Sequence, residues 1–415
     1  MKNIIILLLY FFIGFVPYFG TVDTIGSQWL YLSVINISIL FYFIFYTDFI
    51  IHIKSLFTFT PFIVYLIFIL FSFLSFFFTK NLSLSLVDFS RLLTTTLTVL
   101  IISFLFIYNN AFNIYKLSLI ISLVLLCEVV YSYFPLFRFL SSNSFFDIDY
   151  NSIPNSLKGV TGNKNVNASN IAFKIPFLIY LIYKTKSKLK IFPYLILIFS
   201  LITLFLLSAR ASFLSLFFVL LFSLFSLVKS FNRSILTDSI LILFFAGLSS
   251  FLVTSTSSNS INVSNRLSTI NKTDESASLR LTLWDNAIDY ISSNPFIGSG
   301  IGTWKTESLP YWKDKLTGYK IPYHAHNDFL EIAAEIGLFG GFAYLFFFIF
   351  IFFIGIKGLN KKNNFHYILL LSLLSVYFID AFFNFPLERT ISQINFAILF
   401  SIAIFLSKYE QKSIS

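Results

Sequence analysis

HAHNDFLEIAAEIGLFGG, residues 324–341, decides how this chain is read. Two histidines (His324, His326), an amide (Asn327), three acids (Asp328, Glu331, Glu335) and three glycines are packed into it. An apolar run from Leu338 to Ile356, broken only by Gly340, Gly341 and Gly355, overlaps its end. Such a run is long enough to cross the hydrocarbon core of a bilayer. A polar cluster therefore feeds straight into a membrane-length helix, and Asn327, Glu331 and Glu335 share one face of it by helical spacing. Gly337 and Gly341 fit the small-residue spacing of packed membrane helices.

The rest of the chain has the composition of a scaffold around that cluster. It has 415 residues, 57% hydrophobic and 12% charged, with a mean hydropathy of +0.83. Long apolar runs recur, whereas a β-barrel would show short alternating segments. The fold class is an all-α polytopic membrane protein. The 58 phenylalanines suit a lipid-facing surface and carry no functional reading of their own. A single cysteine, Cys127, excludes a disulfide within the chain, and four histidines leave little for a metal site. The net charge of +10 does not point to nucleic acid, because most cations lie in loops, where they orient helices. The N-terminus, Met1-Lys2 before an apolar stretch, reads as an uncleaved first helix: no small-x-small cleavage site follows.

Twelve spans are expected, at about 3–20, 29–47, 58–78, 85–107, 115–134, 166–183, 191–208, 211–228, 235–254, 338–356, 365–382 and 391–407, forming one integral membrane domain over 1–415. With the N-terminus in the cytoplasm, the inner segments carry Lys2, Lys54, Lys116, the lysines at 184, 186, 188 and 190, Lys229, Arg233, Lys357, Lys361, Lys362, Lys408 and Lys412. The short outer loops carry Lys80, Arg210 and Arg389. That asymmetry is the positive-inside pattern, and it places both termini in the cytoplasm.

The long outer segment, 255–337, begins with a Ser/Thr/Asn-rich linker and then shows a helical pattern over 279–292, with Leu281, Trp284, Ala287, Ile288 and Ile291 on one face. IGSGIGTW follows, then a polar aromatic stretch whose Tyr311, Trp312, Tyr319 and Tyr323 either form an interfacial belt or stack on sugars. The glycine run superficially resembles a dinucleotide fingerprint but lacks the strand–turn–helix setting that motif needs. Its glycines instead serve a tight turn or a close approach of the backbone.

Ionisable residues in or beside spans are functional candidates because burying them in lipid is costly. Arg91 (VDFSRLLTTTL), Lys174, Arg210 (LLSARASFLSL), Arg280 and Arg389 (NFPLERT) all fall on the outer half in this topology, with the His324–Glu335 cluster. Each has a plain reading as well: Lys174 pairs with an acid or snorkels, Arg389 pairs locally, Arg91 locks two helices. Several guanidinium groups facing one cavity suit a diphosphate, since each offers a planar fork of donors. The N-terminus of the helix after Asn327 favours an anion for the same electrostatic reason. His326 is the natural general base, as imidazole titrates near neutrality. Glu331 either orients an imidazole or caps the helix.

These motifs together resemble the O-antigen ligase and polymerase group of bacterial membrane glycosyltransferases. HAHNDFLEIAAEIGLFGG is similar to that group's histidine signature, and SLRLTLWDNAIDYISSNPFIGSGIGTW to its Arg…Trp…Pro-x-x-Gly-x-Gly segment. LLSARASFLSL resembles its Ser-x-Arg turn, and GNKNVNASN its Gly-x-x-Asn stretch, which brings in Asn165. The resemblance covers about Gly162 to Gly341. It implies transfer of a glycan from a polyprenyl (undecaprenyl) diphosphate carrier to an acceptor hydroxyl, with inversion, at the periplasmic face of the inner membrane, without a cofactor, nucleotide sugar or metal ion. Arg210 and Arg280 would bind the diphosphate, and His326, or His324, would activate the acceptor. Trp284 and Asn165 would support the site, as would Asn327, Glu331 and Glu335. Arg91 and Arg389 join the diphosphate-binding set from the topology alone. Within the group the reading favours a ligase whose acceptor is lipid A–core over a polymerase extending a growing glycan. A transporter of an anionic lipid-linked substrate is the competing class; it predicts inverted repeats, and none is visible in the sequence.

Overall fold

The computed structural model describes residues 2–21, 23–108, 113–142, 153–185, 188–229, 233–256, 275–313, 322–361 and 364–414. Among them there is helix and no strand. In chain order the helices are α1 (Lys2–Phe11), α2 (Thr24–Tyr46), α3 (Phe49–Leu56), α4 (Thr60–Leu74), α5 (Leu82–Tyr108), α6 (Ile114–Ser142), α7 (Lys164–Lys184), α8 (Ile191–Leu207), α9 (Arg210–Lys229), α10 (Arg233–Thr256), α11 (Glu275–Ser293), α12 (Asp328–Gly358), α13 (Asn364–Phe383) and α14 (Thr390–Ile414). One-turn helices lie at Ile153–Ser156 and Trp304–Glu307.

Ten helices among the described residues are long and apolar enough to cross a membrane, and they fall on ten of the twelve expected spans. The other two expected spans fall on the shorter apolar helices Asn3–Phe15 and Arg210–Ser226. The helix ends follow local chemistry. Asp23 caps α2 by accepting from the Gly26 N–H at 2.7 Å, and Pro61 sits in the first turn of α4, where no N–H is needed. Ser208 ends α8 in the left-handed region, φ 54°, so the chain reverses within two residues and Arg210 opens α9.

The chain divides into two compact units. One comprises residues 1–17, 105–270 and 354–379. Its central helix is α7, buried without a break from Val166 to Ile182 and packed on α6, α8 and α9. Lys174 is buried there on Glu128, with Asn170 bridging the two: Asn170 Oδ1 accepts from Lys174 at 2.9 Å and its Nδ2 donates to Glu128 at 3.0 Å. Lys174 therefore pairs with an acid, the plainer of the two sequence readings.

The other unit comprises residues 18–104, 271–353 and 380–415. Phenylalanine has two uses here. Phe41, Phe45 and Phe77 are exposed on its apolar surface. Others build an aromatic core in which Tyr65, Phe347, Phe396 and Phe400 lie with ring centroids 4.7–5.9 Å apart. Edge-to-face and tilted ring pairs of this kind add to the dispersion of the packing. Asn36 on α2 donates to Thr94 O and Thr98 Oγ1 on α5, both at 2.9 Å, which fixes the register of those two helices.

The helix expected over 279–292 is α11, but its buried face differs from the predicted one. Leu283, Ala287, Tyr290 and Ile291 are buried, whereas Leu281 and Ile288 are exposed. Tyr290 rotates the buried stripe, because its ring packs edge-on against Trp304 at 5.7 Å. Of the Ser/Thr/Asn-rich linker expected over 255–278, residues 255–256 end α10 and 275–278 open α11, while 257–274 and the stretch 314–321, with Tyr319, lie outside the described residues. Trp312 is buried rather than interfacial, and Tyr323 is exposed.

Candidate functional site

The helix that carries the histidine cluster begins at Asp328, well before the apolar run that marks it in the sequence. Asn327 precedes it and caps it, accepting from the Leu330 N–H at 3.2 Å through Oδ1. Glu331, one turn in, reaches back out of the helix. Its Oε1 lies 2.8 Å from His324 Nδ1, and its Oε2 accepts from the Ala325 N–H at 2.8 Å. Glu331 thus orients an imidazole and ties down the segment before the helix at once, and the imidazole is that of His324. Ala325 between the two histidines is fully buried in a small core with Ala287, Tyr290, Trp304 and Ala334. The histidines are therefore pinned by their neighbour rather than held on a loose loop.

His326 adopts φ 52°, a left-handed conformation that side chains other than glycine rarely take. Its Nδ1 is buried and makes no hydrogen bond. Both imidazoles rest on one ring. His324 stacks on Phe385 with centroids 4.5 Å apart and planes at 15°, and His326 meets the same ring edge-on at 4.9 Å and 78°. The Arg389 guanidinium carbon lies 5.0 Å from that ring's centre. Phe385 carries no signal in the sequence, where it is one phenylalanine among many.

The two histidines are pushed in opposite directions. Burial disfavours the charged form of His324, but the Glu331 carboxylate in contact with it, and Glu388 behind it, outweigh that and hold its pKa above the ordinary 6.5. His326 is pushed down to about 4, by burial first and then by the positive charges of Arg280, His324 and Arg389. His326 is therefore neutral at pH 7.

The glycine run docks against the third turn of α12. Gly337 breaks the helix, φ 78° and ψ 171°, so the Leu338 N–H donates to Pro295 O at 2.8 Å instead of to its own helix. The Ala334 and Glu335 carbonyls are taken by the Ser299 and Gly300 N–H groups, at 3.1 and 2.7 Å. Glu335 also accepts from the Trp304 N–H at 3.0 Å. A Cβ on Gly298 would lie 2.5 Å from the Glu335 backbone, and one on Gly337 2.2 Å from Phe296 O. These glycines allow backbone to approach backbone, and Gly337 acts by breaking the helix rather than as a packing position of a continuous helix.

Opposite lies the turn Phe385–Arg389, clamped from several helices. Gln393 donates to Pro386 O at 2.9 Å, the Leu387 N–H to Asp328 at 3.3 Å, and Trp29 Nε1 to Glu388 O at 3.3 Å. Arg91 Nη1 lies 2.5 Å from Glu388 Oε2 and 2.9 Å from Asp88 Oδ1. Lys305 is 3.2 Å from Asp88 and 3.9 Å from Glu388. Burial alone would raise the Glu388 carboxyl, but His324, Lys305 and Arg91 together hold it below its ordinary value. A cavity of about 50 Å³ lies behind Glu331, lined by Arg91, Asp328, Glu331, Glu335, Glu388 and Gln393 among others. Its size and polarity suit water.

The unit thus brings together His324, His326, Asn327, Glu331, Glu335, Arg91 and Arg389. Arg280 sits on α11, close enough for its charge to act on His326. Trp284 on the same helix packs on Phe382 and Phe383. Arg210 and Asn165 belong to the other unit. There Arg210 is the first residue of α9, and the Asn165 N–H donates to the cap Asn163 at 2.9 Å.

No curated protein matches the chain. Residues 195–345 match the family model described as O-Antigen ligase (Wzy_C), a segment that holds Arg210, Arg280, Trp284 and the whole cluster from His324 to Glu335. Over residues 195–345, then, this chain is similar to the O-antigen ligase family.

Proposed function

We propose that this protein transfers a glycan from an undecaprenyl diphosphate carrier to a hydroxyl of lipid A–core, at the periplasmic face of the inner membrane. The observation that carries the reading is a neutral His326, with its Nδ1 unengaged, within the electrostatic reach of Arg280 and Arg389. A base and cations for a diphosphate are what this displacement needs. The acceptor oxygen attacks the anomeric carbon as its proton passes to the His326 imidazole. The bond from that carbon to the diphosphate oxygen breaks, and its electron pair leaves on the diphosphate. Arg280, with Arg389, offsets the charge that builds there, in the place a metal ion takes in other phosphate chemistry. Arg91 is balanced by two carboxylates, so its assigned part is to hold the Glu388 turn rather than to bind the diphosphate. His324, its pKa raised by the Glu331 carboxylate, shapes the acceptor side.

The test is transfer by the purified protein in lipid nanodiscs, with undecaprenyl-diphosphate-linked glycan and lipid A–core. His326→Ala is expected to lower the rate at least about 100-fold, the usual contribution of a general base. Undiminished transfer would sink the assignment. Longer glycan on the carrier, with lipid A–core left unmodified, would replace the ligase reading by a polymerase.

A further inference from the structure

We infer that Phe385 is a positioning residue of the transfer site, a ring that sets the planes of both imidazoles. This rests on the function proposed above and extends it to a segment outside the family match, which ends at residue 345.

The inference starts from how much structure is spent on one turn. Phe385 to Arg389 is a short connection between α13 and α14, the kind of segment that tolerates movement when it carries no load. Here it is fixed by Trp29 from α2, Arg91 from α5, Asp328 from α12 and Gln393 from α14. Helices from widely separated parts of the sequence thus hold five residues in place. What the turn presents is the Phe385 ring, parallel to His324 on one side and at the edge of His326. Arg389 lies over the same ring.

The geometry has a chemical consequence. Glu331 holds Nδ1 of His324, which sets the direction of the imidazole but leaves its plane room to tilt. A face-to-face contact at 4.5 Å removes that freedom. His326 has no hydrogen bond at Nδ1, so the edge contact with Phe385 is a main constraint on its plane. The ring's π-face also favours a cation over it, as His324 is when protonated. The charged groups acting on His324 are Glu331, Glu388 and Lys305; those acting on His326 are Arg280, His324 and Arg389. Phe385 adds no charge to either set, so its replacement changes orientation and shielding and, of the charged partners, removes a contact of Arg389 alone.

Phe385→Leu keeps an apolar side chain and removes the ring, and Phe385→Tyr restores it. In the transfer assay, Phe385→Leu is expected to lower kcat about 10- to 100-fold, as small misplacements of reacting groups do. KM for the lipid-linked donor should change less than kcat, because Arg280 is untouched and Arg389 loses only its contact with the ring, and Phe385→Tyr should recover most of kcat. A second readout needs no activity: acylation of His324 and His326 by diethyl pyrocarbonate, located by mass spectrometry on the full-length protein. Loss of the ring should speed acylation of His324 several-fold, with His52 and His366 unchanged as internal references. Elution of each variant as a single peak in size-exclusion chromatography shows that it is folded. If Phe385→Leu does not fold, Phe385→Met carries the same two readouts. Acylation rates and kcat both equal to wild type in a folded ring-less variant would overturn the inference. If the wild type proves inactive in transfer, the function proposed above fails, while the acylation pattern still decides whether Phe385 orders the histidines.

Discussion

An imidazole acts as a general base only in its neutral form, so the pH at which transfer switches on identifies the base. His326 is lowered to about 4 by burial and by Arg280, His324 and Arg389, whereas His324 is raised above 6.5. The neutral fraction of either grows as pH rises through its own pKa. If His326 is the base, kcat/KM should rise with pH through about 4 and be level by pH 6. A limb above pH 6.5 would assign the work to His324 instead. The kcat profile adds a second test. A bound diphosphate neutralises the arginine charges that depress His326, so its pKa in the donor complex should lie higher than in the free enzyme. The acid limb of kcat is therefore expected at higher pH than that of kcat/KM. Coincident limbs would mean that the donor's charge is not felt at His326, against the proposed placement of Arg280 and Arg389 around the diphosphate.

Helix α12 works as two pieces joined at Gly337. The break lets the 295–302 loop supply donors to carbonyls that would otherwise be satisfied within the helix, and so it docks Trp304 beneath the histidines. Gly337 has backbone angles open essentially to glycine alone, at a cost of about 1–3 kcal/mol for any other residue, and a Cβ there would strike Phe296 O at 2.2 Å. Gly337→Ala should lower the thermal unfolding midpoint in detergent and reduce transfer. Gly247→Ala, in α10 with nothing within 4 Å of the new Cβ, should leave the midpoint unchanged or raise it slightly, since alanine favours helix. Equal midpoints for the two variants would show that the break at Gly337 is not needed. In the sequence the 298–302 glycines read as serving a tight turn or a close approach of the backbone, and Gly337 read as a packing position. Hydropathy located the spans because crossing a bilayer imposes a length and a composition, and the histidine cluster stood out for the same reason. The partners did not. Arg91 and Glu388 meet across 297 positions, and Lys174 and Glu128 across 46. Periodicity reports only on neighbours within a turn or two, so neither pairing, nor the role of Phe385, could be read from it.

At the scale of the whole molecule, the proposed chemistry requires the histidine cluster to face the compartment where the lipid-linked glycan is presented. The sidedness rests on charge: lysines and arginines cluster in alternate connections, the pattern that sets orientation during insertion. One feature of the composition makes this simple to check. Cys127 is the chain's single cysteine and is exposed, so Cys127→Ser leaves a background with no thiol. In that background, Lys313→Cys reports on the segment that carries the site, and Lys361→Cys on the connection between α12 and α13; both native lysines are exposed. A maleimide small enough to cross the outer membrane but too polar to cross the inner one should label Lys313→Cys in intact cells. Lys361→Cys should react only after the inner membrane is opened. The reverse pattern would put the histidine cluster in the cytoplasm, where the donor and acceptor proposed here are not displayed, and would remove the basis for the ligase reading. Labelling of both positions in intact cells would mean that α12, the one helix described between 313 and 361, does not cross, which its break at Gly337 would explain.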